Sequence, residues 1–417
     1  MLQGPSSLFW PELGDALANH GAKVSKVSVH LGEVVYWGLR KSRPYWGSLS
    51  GWDRFLRRYI QREGIDTILY YADRQPYHLV AATLARELGL RAYVIENGYL
   101  RPDWITFEPF GMSRYSLFPR DPESIRAIAS KSAEPDTRIS FSFTFAEEAF
   151  NEVLFNLLGY FGHVVFPLYR SDKYYSPLHD YISNLARQLG LKRLNKIATD
   201  EMKTIIAQKD RFFVVALQTQ GDYQIRDNSP YRHIREMISD VLQSFRSFAE
   251  EDVRLVFKIH PHDNGIEKWG PCVRDLASRL DLLKRVSIID GGNLQHILKA
   301  ALGCVIINST VGLHALRAGT PVKVLGSAIY DVPGLTFDGD LDSFWTEVKD
   351  VDETLVQDFV RALAGSIQVK GSFYNSAGRK VAIAEIVKRL ATFDGYFASK
   401  LGRTINDLEP SRTCAEQ

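Results

Sequence analysis

Cysteine is scarce in this sequence, and long apolar runs are missing from it. The three cysteines among 417 residues, Cys272, Cys304 and Cys414, are odd in number and widely scattered. They form neither a disulfide framework nor a zinc set, so a reducing cytosol is the expected compartment. No signal peptide is recognised, and no stretch approaches the roughly 18 apolar residues of a membrane span. Residues 1–3 are interpreted as the end of a strand whose upstream part the start codon omits.

Several phosphate-binding and hydrolytic motifs are missing as well. The sequence contains no Walker loop, no Gly-x-Gly-x-x-Gly and no Gly-x-Ser-x-Gly, which disfavours kinase, dehydrogenase and esterase functions. A net charge of +2 is too small for a general nucleic-acid binder, so no nucleic-acid partner is expected. With 45% hydrophobic and 24% charged residues, the composition is that of an ordinary globular protein.

Short β-branched runs alternate with amphipathic helical segments along most of the chain. The predicted strands are 24–29, 67–71, 92–95, 212–217, 254–259, 286–289, 304–307 and 322–325. Such runs are typical of buried parallel strands, and their alternation with helices predicts doubly wound α/β layers. In the predicted helix at 232–250, seven apolar residues from Ile234 to Phe248 fall on one face.

A helix-rich, sheet-poor region separates the two sets of strands and predicts two domains. We place a Rossmann-like N-terminal domain at residues 1–205, with a helical region at about 123–205. A second Rossmann-like domain follows at 206–345, and helices with a polar tail occupy 346–417. The predicted fold class is therefore α/β and GT-B-like, with two Rossmann-like domains facing a cleft.

Polar clusters follow the predicted strands, at the edge where sheets of this type bind ligands. Five clusters are present, at residues 73–78, 96–103, 218–224, 258–263 and 308–310. A strand-terminal acid is often only a turn former, and the dipeptide His-Pro is common. Five clusters at strand ends nevertheless indicate a functional edge more strongly than any single one.

The segment Asn308-Ser309-Thr310 ends an apolar run and begins a predicted helix. Free backbone N–H groups, hydroxyl donors and the positive end of a helix dipole favour a phosphate or another anion there. An ordinary helix N-cap is the alternative interpretation of the same residues.

No metal site is predicted. His260, His262 and Asp263 carry metal-ligating atoms, but Pro261 interrupts them and no further ligand lies close in the sequence. The Asp-Gly-Asp segment at 338–340 is interpreted as a turn.

Within residues 36–60, six aromatic side chains from Trp37 to Tyr59 are interleaved with six basic ones, and Asp53 is the one acid. Two interpretations are open for this segment. Basic and aromatic residues together favour docking on an anionic membrane surface. The alternative is a helix whose aromatic face packs on the first sheet. If the substrate is a lipid, docking is the favoured interpretation.

Several blocks of the sequence together resemble a known family. The blocks are 2–5, 96–103, 105–108, 217–224, 260–261, 308–313 and 326–336. They make most of the chain similar to the capsular-polysaccharide transferases of the KpsS/LipB type, which are relatives of KpsC. The block Glu-Asn-Gly-Tyr-Leu-Arg-Pro and the block 326–336 are the specific ones, whereas His-Pro alone is weak.

This resemblance implies a retaining β-Kdo transferase. The donor would be CMP-β-Kdo, bound by the second Rossmann-like domain, and the acceptor an anionic lyso-phosphatidylglycerol lipid met by the first. The product would begin the poly-Kdo linker that anchors capsule to lipid. The resemblance further implies a cytoplasmic enzyme, peripheral on the inner membrane, that works with other capsule assembly proteins. No cofactor is expected, because fixed donors can stabilise a leaving group with one phosphate.

Site residues are assigned from the resemblance and from the chemistry of retention. Two successive inversions need a carboxylate nucleophile, for which we choose Asp222, and Glu96 is the expected base for the acceptor hydroxyl. His260 is expected to assist the leaving phosphate. The predicted donor-binding residues are Gln218, Lys258, His260, Pro261, Asn308, Ser309 and Thr310. Lys258 is equally well interpreted as a strand-end surface lysine, and Arg74 and Arg101 are candidate contacts for the donor carboxylate or the lipid phosphate.

Two other functions remain open from the sequence. One is a different CMP-sugar transferase of the GT-B type, similar to a sialyltransferase, which would keep the anion site and the His-Pro loop. The other is a non-catalytic scaffold for capsule assembly or export. A scaffold predicts degraded catalytic positions, whereas Glu96, Asp222 and His260 are all present.

Overall fold

The computed structural model describes residues 1–392, which form two α/β units. Among the described residues, the first unit contains Met1–Phe110, Ile139–Arg170 and 369–392, and the second contains Gly111–Arg138 and Ser171–Gln368. Each unit has its own sheet, so the predicted α/β class with two Rossmann-like units is confirmed. Cys414 and the tail 404–417 lie outside the described residues.

The chain passes between the two units more than once. The predicted domains at 1–205, 206–345 and 346–417 are continuous segments, and the observed division differs from them. Contacts of the long helix α7 (Pro177–Ala207) explain part of the difference. Arg187 of α7 pairs with Asp290 at 2.5 Å, and Asn195 accepts a hydrogen bond from Gly292 N at 2.8 Å. These contacts attach α7 to the second unit, although the sequence pattern placed it in the first.

The first unit is built on a mixed four-stranded sheet. The strands, in spatial order, are β11 (Gln368–Lys370), β5 (Trp104–Pro109), β4 (Arg91–Asn97) and β3 (Thr67–Tyr71). β3 and β4 are parallel, whereas β5 runs antiparallel to β4. A separate parallel pair joins β1 (Val27–Ser28) and β2 (Arg43–Pro44).

Residues 1–3 make strand-like hydrogen bonds to both of these sheets. Leu2 N donates to Leu69 O at 2.8 Å, and Tyr71 N donates to Gln3 O at 2.9 Å. On the other side, Val27 N donates to Met1 O at 3.1 Å. The opening residues therefore lie between β1 and β3.

Helices cover the sheet of the first unit. They are α1 (Phe9–Asn19), α2 (Leu31–Trp37), α3 (Leu49–Glu63), α4 (Pro76–Glu87), α6 (Phe145–Phe161) and α15 (Ser376–Thr392). α1 packs on α15 and α2 packs on α6. The aromatic residues of 37–59 are divided between core and surface. Trp37, Tyr45 and Trp52 are buried, which supports the packing interpretation for them, whereas Trp46 is 55% exposed.

The second unit has a fully parallel five-stranded sheet. Its strands lie in the order β10 (Val322–Val324), β9 (Gly303–Ile306), β6 (Phe212–Ala216), β7 (Arg254–Lys258) and β8 (Val286–Ile289). The chain builds outward from β6 through β7 to β8, then returns to the other side for β9 and β10. This is the Rossmann strand order, with its reversal between β6 and β9.

Eight further helices surround this sheet together with α7. They are α5 (Pro122–Ala129), α8 (Tyr223–Asn228), α9 (Ile234–Phe248), α10 (Trp269–Arg279), α11 (Leu294–Ala300), α12 (Val311–Arg317), α13 (Leu341–Phe344) and α14 (Glu353–Ser366). The apolar face predicted for α9 is buried from Ile234 to Phe245. The inclusion of Phe248 in that face was wrong, because the helix ends there and the ring is 51% exposed.

Candidate functional site

Two polar loops leave the second sheet where its strand order reverses. β6 and β9 are hydrogen-bonded neighbours, with Val215 in register with Val305. Because both strands end at the same edge, the residues that follow them meet. Gln218 Nε2 donates to Asn308 Oδ1 at 2.9 Å, and Asn308 N donates to Gln218 Oε1 at 3.2 Å. Two clusters that the sequence places 90 residues apart thus form one group.

Backbone carbonyls fix the orientation of both amides in this group. Asn308 Nδ2 donates to Gln224 O at 2.9 Å and to Asn228 O at 3.2 Å. Carbonyls only accept hydrogen bonds, so Asn308 must present its nitrogen to them and its oxygen to Gln218. Gln218 then presents its own nitrogen toward Asn308 and toward Asp222.

Asp222 belongs to the same hydrogen-bonded group. Its Oδ1 accepts from Gln224 N at 2.9 Å as the N-cap of α8, and its Oδ2 lies 3.4 Å from Gln218 Nε2. Both carboxylate oxygens are therefore oriented by donors of fixed position. The structure gives Asp222 a capping role in addition to the nucleophilic role predicted for it.

The loop Asn308-Ser309-Thr310 is supported by the sequence block 326–336. Tyr330, in that block, donates a hydrogen bond from its hydroxyl to Ser309 O. The ring lies against Gly312, where a Cβ atom would come within 2.4 Å of the Tyr330 hydroxyl. Ser309 Oγ accepts from Val311 N at 3.2 Å, whereas Thr310, the N-cap of α12, makes no side-chain capping hydrogen bond. α12 has only seven residues, so its dipole is short, and anion binding would depend mainly on side-chain donors.

The His-Pro loop follows β7 and is held by α7. Arg187 donates to Pro261 O at 2.9 Å and to His260 O at 3.4 Å while it pairs with Asp290. His260 Nδ1 accepts from His262 N at 3.1 Å. The contact from Arg187 was not predicted, because nothing in the local sequence connects residue 187 to residue 260.

Lys258 is a buried cation at the end of β7. The residue is only 6% exposed, so its interpretation as a surface lysine was wrong. Within residues 1–392 its amine forms no hydrogen bond or ion pair. Burial lowers the pKa of Lys258, the nearby Asp290 opposes this shift, and Arg187 adds to it. An ammonium group in such a position is suited to meet an anion from outside the protein.

Glu96 lies in the first unit and is the second-last residue of β4. The sequence predicted that it follows the strand, but β4 continues to Asn97, and Glu96 is in register with Thr106 of β5. Glu96 Oε1 accepts from Asn97 N at 2.9 Å and from Asn97 Nδ2 at 3.2 Å. Burial raises the pKa of Glu96, although hydrogen bonds from Asn97 and Tyr71 reduce the shift. A raised pKa suits a carboxylate that must accept a proton.

Arg74 and Arg101 flank two strand ends of the first unit. Arg74 follows the buried Asp73 just after β3. Ala72, at that strand end, has a φ of 56°, a value that non-glycine residues rarely adopt. Arg101 is exposed and donates from Nε to Gly98 O at 3.3 Å.

A buried charged group of the first unit escaped the sequence analysis. Lys26 donates to Glu33 and to Val27 O, and Glu33 Oε1 accepts from Val29 N at 3.1 Å. His30 Nε2 lies 3.8 Å from Glu33 Oε1. Lys26, His30 and Glu33 are each 3% exposed or less. Their spacing around β1 did not predict a buried group, because charged residues at strand ends are usually solvated.

Among residues 1–392, no group of three or more His, Cys, Asp and Glu side chains has the placement of a metal centre. No helix in the same part of the chain combines the length and apolar character of a membrane span.

These features define a doubly wound α/β protein with polar side chains gathered where such sheets bind ligands. A profile of the family described as "Capsule polysaccharide biosynthesis protein" matches residues 66–374. The chain is 30% identical over 382 residues to the "Capsule polysaccharide export protein KpsS" of Escherichia coli, covering 90% of this chain and 96% of that protein. It therefore belongs to the capsule polysaccharide biosynthesis family.

Two further relatives illustrate the range of similarity. The chain is 30% identical over 391 residues to the "Capsule polysaccharide modification protein LipB" of Neisseria meningitidis serogroup B, covering 90% of this chain and 91% of LipB. Among solved structures, Thermosulfurimonas dismutans KpsC, a "beta Kdo 2,7 transferase", aligns with a TM-score of 0.40 at 15% identity. That alignment covers 85% of this chain and 92% of the KpsC chain.

Proposed function

We propose that this protein is a retaining β-Kdo transferase that moves Kdo from CMP-Kdo to a (lyso)phosphatidylglycerol lipid. The product begins the poly-Kdo linker of a capsular polysaccharide. The observation that carries the proposal is the hydrogen-bonded group of Gln218, Asp222 and Asn308 at the strand reversal. It sets a carboxylate of fixed orientation where Rossmann-type sheets bind ligands. Family membership and the motif resemblance support the choice of donor.

The donor phosphate meets a set of cationic and hydrogen-bonding groups in this proposal. Lys258 supplies a buried ammonium without a partner in residues 1–392. His260 with Pro261, and Ser309 with Thr310, supply donors from the neighbouring loops. Fixed donors of this kind stabilise the charge that grows on a phosphate as it leaves, and one phosphate does not require a metal ion.

Transfer proceeds by two displacements at the anomeric carbon. An oxygen of Asp222 attacks that carbon, the bond to the phosphate oxygen breaks, and CMP leaves with the bonding electrons. The acceptor hydroxyl then attacks the same carbon, and the ester bond to Asp222 breaks. Two inversions restore the configuration of the donor.

Glu96 removes the proton of the acceptor hydroxyl in the second displacement. Its pKa, raised by burial, makes the carboxylate a better base near neutral pH than an exposed one. Arg74 and Arg101 follow strand ends of the same unit, and we assign them to the lipid phosphate or to the donor carboxylate. Because the acceptor is a lipid, we expect a cytoplasmic enzyme that acts peripherally on the inner membrane, next to other capsule assembly proteins.

A transfer assay tests the proposal. The full chain is supplied with CMP-Kdo made in situ and a fluorescent lyso-phosphatidylglycerol, and products are identified by mass spectrometry. We expect a mass gain of one Kdo. Asp222→Asn should reduce transfer by roughly a thousandfold or more, because an amide is a poor nucleophile. The amide oxygen still accepts from Gln224 N, so the cap of α8 is kept.

Asp340→Asn is the matched control. Asp340 also caps a helix, accepting from Ser343 N at 2.8 Å, and its substitution should leave transfer unchanged. Unchanged transfer in Asp222→Asn would rule out that residue as the nucleophile. If the wild-type chain binds CMP by calorimetry but transfers nothing, the acceptor is wrong. Transfer from CMP-sialic acid in place of CMP-Kdo would instead establish the sialyltransferase-like alternative.

A further inference from the structure

Two segments of the first unit contain no acidic residue. Residues 34–52 lie between Glu33 and Asp53, and residues 153–170 follow Glu152. The first segment contains Arg40, Lys41 and Arg43, and the second contains Arg170 and otherwise no Lys or Arg. The length of these segments is not unusual, because residues 291–330 and 359–384 also contain no acid. Their significance comes from where they lie in the fold.

The two segments pack against each other. α2 packs on α6, and the rings of Tyr36 and Phe155 lie 5.4 Å apart. Further along, Trp46 stacks on Phe166 with 6.4 Å between ring centroids. The acid-free segments therefore form one surface of the first unit, which we call the acid-free surface and define as residues 34–46 and 153–170.

Large apolar side chains project from the acid-free surface into solvent. Phe161, at the end of α6, is 62% exposed, and Val164, in the 3-10 turn that follows, is 91% exposed. Leu168 and Trp46 are each 55% exposed. Soluble proteins rarely leave such a group of side chains uncovered, and a group of this kind usually marks a binding surface.

The charges beside these side chains identify the kind of partner. Lys41, Arg43 and Arg170 are exposed, and none forms an ion pair with a residue in 1–392, whereas Arg40 pairs with Asp15 at 2.5 Å. Exposed aromatic and aliphatic side chains beside basic groups fit the headgroup region of an anionic bilayer. A second copy fits poorly, because a two-fold contact would bring the same basic groups of both copies together without an acid.

We propose that the acid-free surface docks the first unit on an anionic lipid bilayer, with Phe161, Val164 and Leu168 entering the headgroup region. The inference deepens the proposed function, on which it rests only for the lipid nature of the acceptor. The surface keeps Lys41, Arg43 and Trp46 from the basic and aromatic segment, whereas Trp37, Tyr45 and Trp52 of that segment are in the core and do not contribute.

Vesicle flotation tests the docking. Full-length protein is mixed with vesicles of phosphatidylcholine alone, or of phosphatidylcholine and phosphatidylglycerol in equal parts. We expect binding to the anionic vesicles that weakens with salt. The double variant Phe161→Ser and Val164→Ser should lower the partition coefficient by roughly tenfold or more, from the loss of buried apolar area. Phe248→Ser removes a ring of similar exposure, 51%, from the second unit and should change nothing.

A second pair of substitutions tests the charges. Lys41→Gln with Arg43→Gln should weaken binding to anionic vesicles by roughly 25-fold, at about fivefold for each charge, and should not affect binding to neutral vesicles. Absence of wild-type binding, or equal binding by the Phe161 and Val164 variant, would overturn the proposal. So would a wild-type dimer in sedimentation that the same variant dissociates, because the surface would then be an interface between copies.

The docking and the transferase reaction can fail independently. Transfer to a short-chain, water-soluble acceptor needs no bilayer. A variant that loses vesicle binding but keeps this transfer supports the docking surface. A wild-type chain that binds vesicles but transfers to no acceptor contradicts the proposed reaction and leaves the docking standing.

Discussion

Asn308→Asp should destabilise the second unit although it changes only one nitrogen to oxygen. Asn308 Nδ2 donates to two backbone carbonyls, Gln224 O and Asn228 O. A carboxylate at this position loses both hydrogen bonds, at about 1 kcal/mol each, and sets a negative charge against two carbonyl oxygens. We expect a total loss of about 2 to 4 kcal/mol, or roughly 5 to 15 °C in the melting temperature of a unit of this size.

Asn293→Asp is the matched control for this substitution. Asn293 caps α11, and its Oδ1 accepts from His296 N at 3.1 Å. A carboxylate oxygen accepts equally well there and favours the helix N-terminus, so the melting temperature should stay the same or rise. Scanning calorimetry of the two variants at neutral pH measures the difference.

The pH dependence of the Asn308→Asp variant provides a second measurement. Burial beside carbonyl oxygens raises the pKa of the new carboxyl above its unfolded value of about 4. The Asn308→Asp variant therefore keeps its stability at pH values below about 4 and loses it as pH rises through the pKa of the folded state. The difference in melting temperature between Asn308→Asp and Asn293→Asp should become smaller as the solution is acidified. Equal melting temperatures at neutral pH would refute the assigned amide orientation, and with it the orientation of Gln218 toward Asp222.

Two further predictions concern stability. Burial lowers the pKa of His78 to about 4, so the first unit should lose about 3 kcal/mol of stability as pH falls from about 6.5 to that value. In urea titrations across this range, the stability of His78→Gln should depend less on pH than that of the wild type. An unchanged pH dependence would contradict the lowered pKa of His78. Gly312→Ala places a Cβ atom within 2.4 Å of the Tyr330 hydroxyl and should cost about 1 to 3 kcal/mol. Gly190→Ala, whose nearest neighbour is 3.9 Å away in α7, should instead stabilise by up to about 1 kcal/mol; a shift of the same sign in both would count against this packing.

The strands of the second sheet were predictable because their signal is local. Buried parallel strands are continuous apolar runs, and the predicted strand 286–289 matches β8 residue for residue. In contrast, the motif 105–108 was noted without being recognised as part of β5. β5 is antiparallel in a mixed sheet and contains Thr106 and the buried Glu108, so it lacks the apolar run on which the prediction depended.

The candidate site was predictable to the extent that strand order governs it. Gln218, Asp222 and Asn308 belong to clusters that follow strands, and parallel strands end at one edge. Their individual roles were assigned from the family resemblance and the chemistry of retention. The hydrogen bonds among them bring these three together as expected. Arg187 could not be found in the same way, because its contact with the His-Pro loop depends on how α7 docks, and docking leaves no local pattern. Burial of Lys258 was equally hidden, since a lysine at a strand end usually reaches solvent.

The order in which the segments of each unit leave the ribosome follows from the way the chain is divided. The second unit has all of its residues once Gln368 has been made. The first unit, which begins at Met1, still lacks α15, the helix that packs on α1. Domains generally fold as units during synthesis, so the part of the protein that starts first should be the last to complete its core. During that interval, the apolar faces of α1 and its neighbours need protection from aggregation.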